Sequence, residues 1–211
     1  MSLFVPTTLP KASRELVIEK ATAGWLADGN EGPLPKVFFF MVRGYRKTSM
    51  GDPTRNDVGI NDDAGFLVTP DAFYPENMNT DPSRLGWNPG VGKPYGMLQP
   101  GVWWFYPGPH KGHRPSFRQA DDADVAKRLG IPHEGKFKVM RMWGYNDPRN
   151  YLEWGHQQVN IHRQVISSTS SWLCLTVPFD RSDRWLQIAT DALQVHGQKI
   201  IPVILVEGPI N

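Results

Sequence analysis

With a single cysteine, Cys174, in 211 residues, the chain has no internal disulfide to draw on. It must hold itself together with an apolar core and shows no requirement for an oxidising compartment. An excess of one charge is missing too. The 23 basic and 21 acidic side chains leave a net charge of +2, too balanced to give the basic footprint of a nucleic-acid binder. Long apolar runs are absent. The longest, Val37-Phe38-Phe39-Phe40-Met41-Val42, falls far short of the ~18 residues that a membrane span needs. The start, Met1-Ser2-Leu3-Phe4-Val5-Pro6, has no basic segment followed by an apolar one, so no signal peptide is expected. Repeats, heptads and low-complexity tracts are also missing.

Aromatic residues, proline and glycine are plentiful. Eight Trp and ten Phe supply large apolar faces, and the length suits one domain. The 19 Pro and 20 Gly exclude long helices from residues 46–130, where turn dipeptides break up short extended pieces. Residues 11–27 read as a helix with Ser13 as its cap, and residues 121–130 as a short surface helix ending at Gly130. Residues 182–196 form an amphipathic helix, with Trp185, Ile188, Ala189, Ala192 and Leu193 on one face and Gly197 at the position after the cap. Lys36 to Arg46 reads as a buried strand, with Phe38, Phe40 and Val42 on one face and Phe39 and Met41 on the other. Further strands are expected at 64–69, 101–106, 136–143, 158–162, 172–177 and 199–206. The elements do not alternate as βαβ units, so the fold class is mostly β (α+β).

The chemistry concentrates in Asn160-Ile161-His162-Arg163, a hydroxyl-rich loop, and Thr169-Ser170-Ser171-Trp172-Leu173-Cys174. A lone thiol and a nearby imidazole are the minimum parts of a cysteine nucleophile. The thiolate is the reactive form, and a free thiol with a pKa of ~8.5 needs help to reach it at neutral pH. Two neighbouring antiparallel strands are the expected way to bring the two side chains together. The competing reading is a buried structural thiol.

This segment resembles a group of phage and prophage proteins similar to the L,D-transpeptidase catalytic domain. The likeness extends to Met41–Tyr45, Gly59–Pro70, Asn77–Arg84, Leu98–Trp103 and Gly197–Glu207, and spans roughly residues 37–208. It implies a β-sandwich or mixed-sheet core at residues 36–211, with residues 1–35 as an N-terminal helical extension and the helix at 182–196 packed on the core. It implies acyl transfer on peptidoglycan stem peptides, by a peptidase or transpeptidase that degrades the cell wall, with no cofactor. Cys174 is the implied nucleophile and His162 the base, and the backbone at Leu173 and Leu175 holds the oxyanion. His110, Ser171 and Trp172 fall on the substrate side. Without a signal, such a protein is expected to stay in the host cytoplasm until lysis or to travel with the virion, and to act in the periplasm or wall. Where L,D-transpeptidases carry Ser-His-Gly-Cys, this chain has Trp172 and Leu173 in place of His-Gly, which leaves His162 as the only base in the motif. A catalytically inactive virion or wall-binding protein on the same scaffold is the alternative.

Other residues are weighed against plainer roles. Arg84 and Arg163 carry guanidinium forks that suit a substrate carboxylate, or a surface ion pair. His156, an even number of residues before His162, reads as a reserve base on the same strand face. His110 and His113 with Cys174 or His156 would make a zinc set. No cysteine pair or carboxylate framework supports it, so no metal ligands are assigned. Asn61-Asp62-Asp63 reads as a turn before a strand rather than a calcium loop. Trp103, Trp104, Trp143, Trp154, Trp172 and Trp185 are candidates for stacking on sugar rings, and Trp103 and Trp104 must face opposite ways.

Overall fold

The computed structural model describes residues 5–112 and 115–210; His113 of the zinc reading lies outside them. Four α-helices, α1 (Arg14–Ala27), α2 (Lys47–Met50), α3 (Ala123–Leu129) and α4 (Ser182–Val195), accompany twelve strands among the described residues. The strands are β1 (Phe38–Arg43), β2 (Asp63–Val68), β3 (Phe73–Met78), β4 (Trp87–Asn88), β5 (Lys93–Leu98), β6 (Gly101–Pro107), β7 (Phe117–Arg118), β8 (Phe137–Met142), β9 (Tyr151–Gly155), β10 (Asn160–Arg163), β11 (Leu175–Val177) and β12 (Ile201–Glu207). The architecture is mixed α+β, as the sequence led one to expect. The stretch 46–130, read as turns with short extended pieces, holds six of these strands.

Eight strands form one sheet in the order β11-β10-β7-β6-β12-β1-β2-β3, and β4-β5-β8-β9 form a second. The large sheet curls until its edges meet. The amide of Asn79, just past β3, donates to the carbonyl of Thr176 in β11 at 2.9 Å, and the reverse bond is 2.7 Å. This pairing leaves little open edge on that side.

Each face of the large sheet has its own core. Phe38, Phe40 and Val42 of β1 pack with Phe66 and Val68 under Val17, Ala21 and Trp25 of α1. Phe39 and Met41 point the other way, into a cluster with Phe105, Phe137, Val139 and Trp185 and Leu186 of α4. The two-faced reading of β1 therefore holds. α1 starts where Ser13 Oγ accepts from the amide of Leu16 at 3.2 Å, so the expected cap is in place. Its inward residues complete the outer core, which binds the N-terminal helix into the same unit as the sheet. Trp103 is buried in the inner core and Trp104 packs on the outer side.

At the end of the sheet where β1 stops and β2 begins, the packing is polar. Arg43, 1% exposed, pairs with Asp81 at 2.9 Å and with Glu207 at 3.3 Å, and donates to Thr80 Oγ1 and to its carbonyl at 3.1 and 3.0 Å. Asp63 accepts from the amides of Gly44 and Thr80. Burial, then the charges of Asp63 and Asp81, push the Asp62 carboxyl up to about 9.

Candidate active site

β10 and β11 run parallel, with Ile161 opposite Leu175 and His162 opposite Thr176. The expected antiparallel pair is thus corrected. Residues 164–174 bring the chain back to the start of the same edge rather than reversing in a hairpin, and a parallel pair requires such a return. One residue back in this register, Cys174 faces Asn160, whose amide nitrogen lies 3.8 Å from Sγ. Asn160 and His162 are two apart on β10 and share a face.

A ring nitrogen of His110, a ring nitrogen of His162 and Cys174 Sγ all lie within 4.8 Å of one another. His110 comes from the β6–β7 loop, and its ring stacks on that of His162 with centroids 4.7 Å apart and planes at 25°. His162 Nδ1 meets the carbonyl of Arg163 at 2.7 Å. If Nδ1 carries the proton, as that contact demands of a neutral ring, Nε2 holds the lone pair. One water, or a modest turn of the thiol, spans the gap from sulfur to imidazole.

These side chains line a cleft of about 310 Å³ between the β10–β11 edge and the small sheet. Trp172, 44% exposed, forms one wall. Lys111 Nζ sits 5.1 Å from the centre of its ring, and Gly90 lies against its far edge with no room for a Cβ. Leu173, buried, forms part of the floor. It is not at positive φ; the left-handed residue in this loop is Ser170, at φ 50°. Leu173 therefore carries no left-handed backbone strain. Among the described residues, every charged side chain lining the cleft is basic: Lys111, Arg141 and Arg163. Arg141 is held from behind by Glu153 at 2.7 Å, and Arg163 pairs with Asp183 at 3.3 Å.

Cys174 keeps part of its surface exposed, yet the sulfur is crowded. Burial pushes its thiol pKa up, against the pull of Asn160 and the Lys111 charge. Burial thus works against the thiolate, and the help a thiol needs to ionise at neutral pH comes only from Asn160 and Lys111 among the named neighbours.

Of the expected site residues, Cys174, His162, His110, Arg163, Trp172 and Leu173 meet at the cleft. Leu175 is buried inside β11. Ser171 is buried and props the loop, its hydroxyl donating to the carbonyl of Cys174 at 2.6 Å and its amide to Ser83 Oγ at 2.7 Å. Arg84 is not among the residues that line the cleft; it is exposed, with its Nε donating to Tyr95 Oη at 2.7 Å. His156 is corrected. The chain leaves the strand at 156–159, with Gln158 at φ 56°, and His156 Nε2 meets the carbonyl of Glu134 at 2.9 Å instead. Of the tryptophans, only Trp172 reaches the cleft. Sequence reasoning missed Asn160, Lys111, Arg141 and Gln157. The alternation from His162 back to Asn160 was the available signal; Arg141 and Gln157 are brought in by tertiary packing alone. No family model, curated protein or solved structure matches the chain.

Proposed function

We propose that this protein is a cysteine-dependent acyl-transfer enzyme acting on peptides that carry free carboxylates. Its substrate class is the peptidoglycan stem peptide, and its scaffold the L,D-transpeptidase type that the motifs resemble. The observation that carries this reading is the convergence of Cys174, His162 and His110 in one basic cleft. In the reaction, Sγ attacks the peptide carbonyl carbon while its proton passes to an imidazole nitrogen, so that no free thiolate accumulates. The tetrahedral oxyanion collapses and the C–N bond breaks. The imidazolium gives its proton to the departing amine, and a thioester remains on Cys174. Water then gives hydrolysis; an amine acceptor gives a crosslink. Lys111, Arg141 and Arg163 supply the positive field for a substrate carboxylate.

The burial that works against the Cys174 thiolate favours a second reading, a wall-binding or virion protein on the same scaffold. Purified peptidoglycan incubated with the protein, followed by mass spectrometry of soluble fragments and crosslinks, separates the two. Fragments or new crosslinks that disappear in Cys174→Ala support the enzyme. Sedimentation with sacculi and no change in their chemistry supports the binder.

A further inference from the structure

Asp62, Asp63 and Asp81 have carboxylate oxygens within 4.8 Å of one another, and all three side chains are buried at 0% exposure. They come from two places in the chain: Asp62 and Asp63 at the start of β2, and Asp81 in the segment after β3. Asp63 is hydrogen-bonded at both oxygens, to the Gly44 amide and to the Thr80 amide and hydroxyl. Asp81 uses one oxygen, Oδ1, which meets Arg43 Nε and Asn56 Nδ2, each at 2.9 Å. Its Oδ2 has no partner, and neither oxygen of Asp62 has one. The side-chain oxygen of Asn56, whose amide touches Asp81, is likewise without a partner.

A buried carboxylate is normally paired or bound to metal, because removing its charge from water is very costly. Ionised together, the three carboxylates would set three negative charges against one buried guanidinium, Arg43, which also serves Glu207. A divalent cation neutralises that excess; without one, the cluster sheds charge by keeping Asp62 protonated. We propose that Asp62, Asp63 and Asp81, with Asn56 beside them, form a structural site for a hard divalent cation, calcium before magnesium. The donors are all oxygen, which turns away zinc and copper. Calcium–oxygen distances of ~2.3–2.6 Å let one ion bridge ligands up to about 5 Å apart, the span seen here. Magnesium keeps several of its waters and demands octahedral geometry, which a fully buried cage of side chains serves poorly. The ion joins the 56–63 stretch to residues 79–81, and so pins the place where the large sheet closes on itself.

The test uses the whole chain, unfolded and refolded in chelator to strip bound metal, then followed by calorimetric titration and thermal unfolding. The expected result is one equivalent of Ca²⁺ bound and a higher Tm in millimolar CaCl₂. At a free concentration of 100 times Kd the folding equilibrium shifts about a hundredfold toward the native state. The shift with MgCl₂ is smaller, and Asp62→Asn loses the calcium response. Should neither ion bind or raise Tm, Asp62 is simply a protonated buried acid, and the site is overturned. In that case Asp62→Asn, a shape match for the neutral acid, keeps or raises the stability of the parent. A response to Mg²⁺ equal to or above that to Ca²⁺ overturns the choice of calcium. If Asp62→Asn does not fold, the titration of the parent still decides.

Discussion

Cys174 is pulled two ways: the polar surroundings of Asn160 and Lys111 favour the thiolate, and burial opposes it more strongly. A raised folded-state pKa means less thiolate at any given pH. Alkylation of Cys174 by iodoacetamide at pH 8 is therefore expected to be slower than that of a free thiol with its pKa of ~8.5, and to rise only at higher pH. A rate at pH 7 matching or exceeding that of free cysteine would show a primed thiolate and contradict this reading of the pocket. Cys174→Ala is expected to remove any peptidoglycan chemistry. It should lower stability by only about 1 kcal/mol, because the atom lost is small and its site partly open. Circular dichroism and thermal unfolding check the second half of that statement. His162→Gln should leave the fold in place and abolish turnover as well. Residual activity in that variant would point to His110, whose ring also has a nitrogen within 4.8 Å of the sulfur, as the base.

At the scale of elements, the strands and helices with strong periodicity were legible: β1 with its two apolar faces, α4 with its apolar stripe, and the Ser13 cap of α1. What escaped was pairing. The turn residues of 46–130 concealed β3, β4, β5 and β7: β4 and β7 are two residues each, and the six-residue β3 and β5 are buried without alternation. The direction of β11 was misread for the same reason. Three residues, Leu175–Val177, carry no mark of parallel or antiparallel partnership, and only the path of the 164–174 return decides it. The consequence for the site is that the sequence supplied its chemistry but not its walls. The loop carrying Val91 and the β8 arginine are remote in the chain and became visible only in the fold. Gly90 gives a test at this scale. A Cβ there would overlap the Trp172 ring, so Gly90→Ala must move the indole. The expected outcome is a native-like Tm with a changed tryptophan emission and altered substrate preference. An unchanged emission spectrum would mean that Trp172 does not rest on that loop.

At the scale of the molecule, the question is whether residues 1–35 are an appendage or part of the whole. The resemblance set residues 1–35 apart as an N-terminal helical extension. The packing joins the two sides. Val17, Ala21 and Trp25 of α1 cover Phe38, Phe40, Val42, Phe66 and Ile204 on the outer face of the large sheet, and the Trp25 and Trp104 rings meet edge to face at 5.8 Å. Arg14 also donates to the carbonyls of Thr69 and Pro70, which ties the start of the helix to the end of β2. Burying a large apolar side chain contributes about 1.5–3 kcal/mol before the entropy of ordering it is counted, and Val17 and Trp25 of α1 are two such residues. A chain starting at residue 36 is therefore expected to expose an aromatic sheet face and to aggregate or lose its cooperative transition. The full chain should unfold in one step, with tryptophan fluorescence and far-ultraviolet dichroism changing together. A soluble, cooperatively folded fragment 36–211 with the parent's Tm would show instead that the sheet and α4 suffice, and that α1 only rests on them.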